Sequence, residues 1–285
     1  MKTYFNTVFM AFFLSVVLNG KVAGKIIIVD KSGLGQHTTI QAGINAAVSG
    51  DTVKVFPGVY NEKVTVGKGI VLQGSGYEYT RIVADVSPAL SLSAGKVMWF
   101  AISSNVGNAV DMTGGTLTNC VIWNSPGHGI YYNGSTIAKV QNCVLVNTGQ
   151  RKGTKIAQIY AEPYGLSVVN TILWTFSSGD FNDAIASGCC EDKVGILYCR
   201  TWDGEGTGGT NKNPQFLSST DFRITNTSPC WDTGKPDIYD PDGSRSDMGY
   251  YGGPDAPVAP VVTDLRIYVN PDGTVNVQAK AQSTY

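Results

Sequence analysis

A six-residue pattern recurs through the middle of this sequence. Aligning the copies places five residues in one column, 20, 23, 28 and 28 residues apart: Phe100, Cys120, Cys143, Thr171 and Cys199. Each copy is a short hydrophobic run bounded by Gly, Asn, Ser or Asp, which is typical of strands separated by turns. A period in the twenties with variable length indicates a solenoid whose coils carry loops of different size.

The repeat favours one solenoid class. A leucine-rich repeat has a similar period but requires a regular leucine pattern, which is absent, and sandwich hairpins would be shorter and more evenly spaced. We therefore predict an all-β, right-handed parallel β-helix whose coils stack about 4.8 Å apart. Asn119, Asn142 and Asn170 are predicted to hydrogen-bond to one another along a ladder at a bend. Cys120 and Cys143 are predicted to stack in the core as free thiols, with a disulfide as the alternative.

A helix is predicted ahead of the first coils. Residues 39–48 carry an N-cap at Thr38 or Thr39, an apolar face and a terminating Gly50. Because a solenoid must cover its exposed first coil, we expect this segment to be an N-terminal capping helix.

The first residues are typical of an export signal. Lys2 precedes the uncharged, mostly apolar stretch 7–18, and small residues follow up to Gly24. That stretch is shorter than the roughly 20 residues of a membrane-spanning helix, so an uncleaved N-terminal anchor is the alternative. We expect a signal peptide at 1–24, with no other transmembrane segment, and a secreted or cell-surface location.

Two further segments complete the predicted organisation. We expect residues 25–253 to form the parallel β-helix domain and residues 254–285 to form a Pro-rich linker and a β-hairpin. A lone hairpin is marginally stable, so it either docks on the solenoid or begins a truncated further domain.

Net charge indicates which kinds of partner the sequence favours, and the cysteine count indicates whether disulfides are allowed. Removing Lys2 and Lys21 leaves 19 of the 21 basic residues against 22 acidic ones, a net charge near −3. A nucleic-acid partner would require a basic face, so we expect none. Six cysteines in an exported chain permit disulfides, and the sequence does not select a pairing.

Two end motifs resemble those of a known fold family. Residues 39–64, including Gly58-Val-Tyr-Asn-Glu-Lys-Val64, resemble the N-terminal signature of pectin-lyase-like parallel β-helix proteins. Residues 215–253, including Asp240-Pro-Asp-Gly-Ser-Arg-Ser-Asp-Met-Gly249, look like a C-terminal coil common among secreted bacterial members. The resemblance implies the fold and not the chemistry, because this fold hosts lyases, hydrolases, esterases, epimerases and adhesive stalks.

Two catalytic families are disfavoured by missing motifs. Gly58–Val64 looks like the opening motif of pectin methylesterases, but the Gln-Asp-Thr and Asp-Phe-Ile-Phe-Gly motifs that carry their two aspartates are absent. Tyr60 and Glu62 are then expected to stabilise the first coil. Ser125-Pro-Gly-His-Gly-Ile130 resembles the histidine element of polygalacturonases, whose carboxylate motifs are also absent. We expect His128 to be a surface turn residue.

A polysaccharide lyase or epimerase remains an alternative. β-Elimination requires a base and a cation that neutralises the uronate carboxylate. Basic and acidic residues cluster in the two longest insertions, and the candidate catalytic residues are Arg151, Lys152, Lys155, Asp180 and Asp183. Charged loops are more often simply solvated, so the sequence leaves catalysis uncertain.

A cation site and a glycan surface are also predicted. Asp240, Asp242 and Asp247 supply oxygen ligands on a tight turn that suits Ca²⁺, although Arg245 could instead pair with Asp240 or Asp247 in a metal-free turn. Aromatic residues expected near coil ends or in loops are candidates for stacking on sugars, about half of them being expected in the core: Trp123, Tyr131, Tyr132, Trp174 and Trp202. Trp123 and Trp174 share a register, which predicts a stacked pair.

From these observations we predict a secreted β-helix protein that interacts with extracellular polysaccharide, with no catalytic activity established. The alternative is a lyase or epimerase acting on uronate-containing glycans such as pectate. No cofactor is established by the sequence, and Ca²⁺ is the one candidate.

Overall fold

In the computed structural model the chain winds into a parallel β-solenoid. The structure describes residues 24–149, 157–162, 165–176, 185–187, 194–201, 206–257, 260–270 and 272–283. The strands, in chain order, are β1 (Ile26–Val29), β2 (Thr52–Val55), β3 (Gly58–Asn61), β4 (Val64–Val66), β5 (Val71–Gln73), β6 (Thr80–Ala84), β7 (Leu90–Leu92), β8 (Lys96–Met98), β9 (Ala101–Ser104), β10 (Val110–Met112), β11 (Gly115–Thr118), β12 (Val121–Trp123), β13 (Ile130–Tyr132), β14 (Ala138–Gln141), β15 (Val144–Val146), β16 (Ile159–Ala161), β17 (Leu166–Val169), β18 (Ile172–Trp174), β19 (Ile185–Ser187), β20 (Val194–Leu197), β21 (Pro260–Val269) and β22 (Val275–Ser283).

Three parallel sheets form the walls of the solenoid. Within the described ranges, sheet 1 has the order β1-β2-β5-β8-β11-β14-β17-β20, sheet 2 the order β3-β6-β9-β12-β15-β18, and sheet 3 the order β4-β7-β10-β13-β16-β19. Six successive coils, from β2–β4 to β17–β19, contribute one strand to each sheet, and the inward side chains of the three sheets fill one hydrophobic core. The predicted all-β solenoid is confirmed.

The repeat read from the sequence matches the register of the structure. In sheet 1, Leu117 pairs with Val97 on one side and Val140 on the other, and Val140 in turn pairs with Val168. Cys120, Cys143 and Cys199 are free, fully buried thiols. The prediction that Cys120 and Cys143 are free is confirmed, while Cys189 and Cys190 lie outside the described residues.

The predicted helix is present with a shifted end. α1 spans Ile40–Ala46, and Thr39 is the N-cap whose hydroxyl accepts a hydrogen bond from the Ala42 amide. Its C-cap is Ala47, so the expectation that Gly50 ends the helix is wrong; Gly50, at φ +96°, lies in the following turn. The backbone amide of Ala47 closes the helix early by donating to the carbonyl of Ile44.

The motif at residues 58–64 is explained by α1. The Glu62 carboxylate accepts hydrogen bonds from the amides of Ile40, at 2.8 Å, and Gln41, at 3.0 Å. It therefore satisfies two of the free N–H groups at the start of the helix. Tyr60 is buried and its hydroxyl donates to the Phe56 carbonyl. Both side chains thus stabilise the first coil, as expected.

Residues 213–257, here called the C-terminal strap, cover the outer face of sheet 2. Phe222, Met248 and Tyr250 of the strap form a second hydrophobic core with residues on the outer face of that sheet, such as Val121 and Val144. Strands β12, β15 and β18 of sheet 2 are therefore mostly buried on both faces, which explains why they are continuous hydrophobic runs.

The asparagine column binds the strap instead of forming a ladder. Asn119, Asn142 and Asn170 are fully buried at φ values of +45°, +50° and +49°. The Asn119 side-chain amide donates to the Tyr250 and Gly252 carbonyls, and that of Asn142 donates to the Asp247 carbonyl. Asn170 donates to the Ser246 hydroxyl and accepts from the Lys235 amide. The predicted amide ladder is wrong because the strap supplies closer partners.

The last described residues form an antiparallel pair. β21 and β22 pair along their whole length as a hairpin, longer than the segments expected from the sequence. No helix among the described residues is long and apolar enough to cross a membrane.

Candidate glycan-binding face

The outer face of sheet 3 carries a row of polar and aromatic side chains. In each of the three-residue strands β10, β13 and β16 the first and third residues are buried and the second is half-buried, so the second side chain points outward. These middle residues are Asp111, Tyr131 and Tyr160, and strand pairing places them in register on successive coils. The period-2 alternation of each strand therefore builds one column.

Three rings in this region stack on one another. The Tyr131 and Tyr160 rings have centroids 5.8 Å apart and an interplanar angle of 13°. The His128 imidazole lies 5.8 Å from the Tyr131 ring and 4.9 Å from the Tyr160 ring. We call His128, Tyr131 and Tyr160 the aromatic ladder. All three side chains are half-buried, so part of each ring is open to solvent.

Hydrogen bonds fix the polar groups beside the ladder. The Asn108 side chain donates to the Asp111 carboxylate and accepts from the His128 backbone amide, both at 2.9 Å. The Tyr131 hydroxyl donates to the exposed Glu162 carboxylate at 2.9 Å. Two carboxylates and one amide thus flank the rings in fixed positions.

Burial sets the protonation of the two titratable groups nearest the rings. It lowers the pKa of His128, although the Ala157 backbone and the Asp111 charge act in the opposite direction. It raises the pKa of Asp111, which the Asn108 hydrogen bond and the charges of Lys63 and His128 partly offset. The imidazole is therefore neutral at neutral pH, and its Nδ1 lies 3.1 Å from the Ala157 carbonyl oxygen and 3.2 Å from the Ala157 amide nitrogen.

This arrangement suits a hydroxylated ring with an apolar face. Stacked aromatic rings offer a flat apolar surface, while carboxylates and amides orient hydroxyl groups. The expectation that His128 is a plain turn residue is incomplete, since its ring is part of the stack. Sequence reasoning missed Tyr160, Asp111 and Glu162. The shared hydrophobic–tyrosine pattern of Ile130-Tyr131 and Ile159-Tyr160 was the available signal.

The other aromatic candidates lie elsewhere. Tyr132 is fully buried with its hydroxyl donating to the Thr136 carbonyl, so its predicted glycan contact is wrong. Trp123 packs edge-on against Phe222 of the strap and under the Arg81 guanidinium. Trp174 lies 4.0 Å from the Arg200 guanidinium carbon. Only Tyr131 of the described candidates lies on the ladder, and Trp202 is outside the described residues.

Trp123 and Trp174 do share a register, as expected. Val146 pairs with both of them, so they are two coils apart and the predicted direct stack is wrong. Both indoles instead brace cationic side chains near the strap.

The predicted cation site has a different third member. Carboxylate oxygens of Asp232, Asp240 and Asp247 lie within 4.8 Å of one another. Asp242 is not in this group, and its carboxylate accepts from the Ser244 amide and hydroxyl. Arg245 donates to the carbonyls of Thr233 and Gly234, so its expected pairing with Asp240 or Asp247 is wrong. Calcium binding here stays a prediction.

The candidate catalytic residues fall in the two longest insertions of the repeat. Arg151, Lys152, Lys155, Asp180 and Asp183 all lie outside the described residues.

Comparison with known proteins shows the fold. No protein-family model matches the chain, and no curated protein matches it. Among solved structures it is similar to pectin methylesterase from carrot, with 17% identity, a TM-score of 0.52 and 64% of each chain covered. Pectin methylesterase PemA from Erwinia chrysanthemi shares 12% identity over 91% of this chain and 86% of its own, with a TM-score of 0.47.

The chain has the pectin-lyase-like parallel β-helix fold. It spans 64% of the length of the carrot enzyme that it resembles. At this identity the similarity establishes the architecture alone, and it does not supply the esterase motifs that the sequence lacks.

Proposed function

We propose that this protein is an extracellular β-helix protein that binds polysaccharide along the aromatic ladder. The observation that carries the proposal is the stack of the Tyr131 and Tyr160 rings, in register on sheet 3, with the His128 ring from just before β13 and with fixed carboxylates beside them. Partly exposed aromatic rings leave apolar surface in contact with water. A ligand with an apolar face would cover that surface when it binds.

The direction of the ladder favours a polymer. Asp111, Tyr131 and Tyr160 follow one another on three successive coils along the solenoid axis. A glycan chain laid along this axis meets a new protein side chain at each coil spacing of about 4.8 Å. The flanking Asp111 and Glu162 carboxylates would accept hydrogen bonds from its hydroxyl groups.

We expect the double substitution Tyr131→Ala, Tyr160→Ala to weaken polysaccharide binding by about 10- to 30-fold. Each ring contributes about 1 kcal/mol of stacking, and about 1.4 kcal/mol corresponds to a factor of ten. The measurement is isothermal titration calorimetry or affinity electrophoresis with pectin, polygalacturonate and a neutral glucan.

The matched control for this double substitution is Tyr239→Ala. Tyr239 is 55% exposed and lies in the strap, away from the ladder. Circular dichroism must show that all variants retain the native fold. Equal affinity of the double variant and the wild type for every glycan that binds would contradict the proposal, and so would the absence of binding to all three.

The ladder also supports a second candidate, a uronate-acting lyase or epimerase. With its Nδ1–H donating to the Ala157 carbonyl, the neutral His128 imidazole has an unprotonated Nε2 that would act as the base for the proton on the carbon next to a uronate carboxylate. In elimination that proton goes to the base, its electrons form a C=C bond, and the glycosidic C–O bond breaks. Arg151, Lys152 or Lys155, or a bound Ca²⁺, would neutralise the carboxylate.

Absorbance at about 235 nm separates the two functions. If the protein only binds, we expect no rise with pectate, alginate or glycosaminoglycans, with or without Ca²⁺, because no unsaturated product forms. A rise that His128→Ala abolishes would establish the lyase and overturn the purely binding function. An epimerase would leave the absorbance flat and would instead change the uronate signals in the proton NMR spectrum.

A further inference from the structure

A second cleft lies away from the ladder, where the strap meets the first coils. Its cavity is about 800 Å³, within the usual range of small-ligand sites. The lining comes from the solenoid on one side, including Gly74–Tyr79 and Trp99, and from the strap on the other side, including Asp221, Arg223 and Tyr251. The cleft therefore exists only because the strap docks on the solenoid.

The floor of the cleft is a rigid aromatic group. The Tyr77 ring packs edge-on against Tyr250 at 4.8 Å, and Tyr250 packs edge-on against Tyr251 at 4.8 Å. The Tyr77 amide donates to the Tyr250 hydroxyl, and the Tyr77 hydroxyl accepts from the Phe222 amide. Burial raises the pKa of Tyr77 to about 12, so this phenol stays neutral. Such a floor keeps its shape without a ligand.

The rim of the cleft carries two more rings. Tyr79 is 63% exposed, which is high for a large aromatic side chain at the edge of a cavity. Trp99 is half-buried, and its indole N–H donates to the Asp255 carbonyl at 2.8 Å, which fixes the ring plane. The two rings offer apolar surface to an occupant.

Charged groups stand on both walls. Lys54, in β2, is exposed and has no ion-pair partner within the described part of the chain. Arg223 is held by Asp221 through Nε and Nη2, so its Nη1 takes no part in that pair. Glu78 accepts from the Tyr251 hydroxyl. Two cations and two carboxylates thus surround the rings.

We propose that this cleft binds a short acidic oligosaccharide, with Lys54 and Arg223 contacting a uronate carboxylate and Tyr79 and Trp99 contacting sugar faces. Glu78 and Asp221 accept from the hydroxyl groups, a role that suits carboxylates already oriented by Tyr251 and Arg223. Because the cleft is bounded by two walls, it takes the end of a chain or a released fragment, whereas the ladder is open along its length. The two sites are independent.

The test is isothermal titration calorimetry of the purified protein with trigalacturonate, and with maltotriose as the neutral trisaccharide. We expect trigalacturonate to bind at least fivefold more tightly than maltotriose, since hydrogen bonds to charged groups are stronger than neutral ones. Lys54→Ala is expected to raise the trigalacturonate Kd about five- to tenfold, and Tyr79→Ala about threefold or more. Both side chains are exposed, so neither change threatens the fold.

Two controls assign the signal to one site. Lys212→Ala removes another exposed lysine, and Tyr239→Ala removes another exposed tyrosine; neither should change the trigalacturonate Kd. Loss of trisaccharide binding in Tyr131→Ala but not in Lys54→Ala would place the ligand on the ladder and overturn the cleft. Absence of trigalacturonate binding, or equal binding of maltotriose, would also overturn it while leaving the polymer-binding test unaffected.

Discussion

Replacing Asn119 with alanine is expected to lower the free energy of unfolding by about 3 to 5 kcal/mol. The Asn119 side-chain amide is fully buried and donates to the carbonyls of Tyr250, at 2.6 Å, and Gly252, at 2.8 Å. Alanine would leave both carbonyls without this donor in a site closed to water, at about 1 to 3 kcal/mol each. A left-handed backbone at φ +45° adds about 1 kcal/mol for alanine.

Asn124→Ala is the matched control. Asn124 has nearly the same backbone, at φ +48°, but its side chain is exposed. Asn124→Ala should therefore lower the free energy of unfolding by only about 1 kcal/mol, the cost of the left-handed conformation. Urea denaturation followed by circular dichroism measures both, and limited proteolysis reports early release of the strap in Asn119→Ala. Equal losses in the two variants would mean that the strap contributes nothing through this side chain.

The second large effect expected is a fall in stability as the pH rises from 5 to 8. Burial raises the pKa of Asp240 to about 6 and that of Asp247 to about 7, and the charges of neighbouring aspartates add to both shifts. In the unfolded chain both groups titrate near 3.9. Between these values the folded protein binds protons that the unfolded chain does not. The stabilisation that these two groups contribute is therefore fully present below about pH 4 and is lost as the pH rises through 6 to 7.

From pH 5 to pH 8 we expect a loss of about 2 to 4 kcal/mol, measured by urea denaturation in buffer with EDTA. Asp247→Asn should remove much of this pH dependence and raise stability at pH 8, because the amide oxygen can still accept from the Asp232 backbone amide. Asp237→Asn, an exposed partner of Lys235, is the control and should leave the slope unchanged. A wild-type curve that is flat or rises between pH 5 and 8 would show that these carboxylates keep ordinary pKa values.

The same samples test the predicted cation site. If Asp232, Asp240 and Asp247 bind Ca²⁺, adding it at pH 8 should restore stability in the wild type but not in Asp247→Asn. A wild-type melting temperature that Ca²⁺ does not move would assign the three carboxylates to proton binding alone.

The site was only partly predictable from the sequence. The sequence indicates Tyr131 as an aromatic residue near a coil end, yet its stacking partner Tyr160 is 29 positions further on, in the next coil. Tyr132, its neighbour in the chain, has the same chemistry but points into the core. Composition cannot separate the two, because the strand register alone decides which side chain faces out.

The repeat is sufficient to predict the solenoid and its register, and it favours free thiols over a disulfide at Cys120 and Cys143. It could do so because each coil repeats the same inward-facing hydrophobic positions, so a local pattern specifies the whole stack. In the folded chain, the strand register decides the members of the ladder. The partners of Asn119, Asn142 and Asn170 and the cleft join the strap to coils far earlier in the chain, as Asn119 joins Tyr250, 131 positions apart. Contacts between segments so distant carry no periodic signal, and a buried amide takes whichever acceptor the folded chain brings nearest.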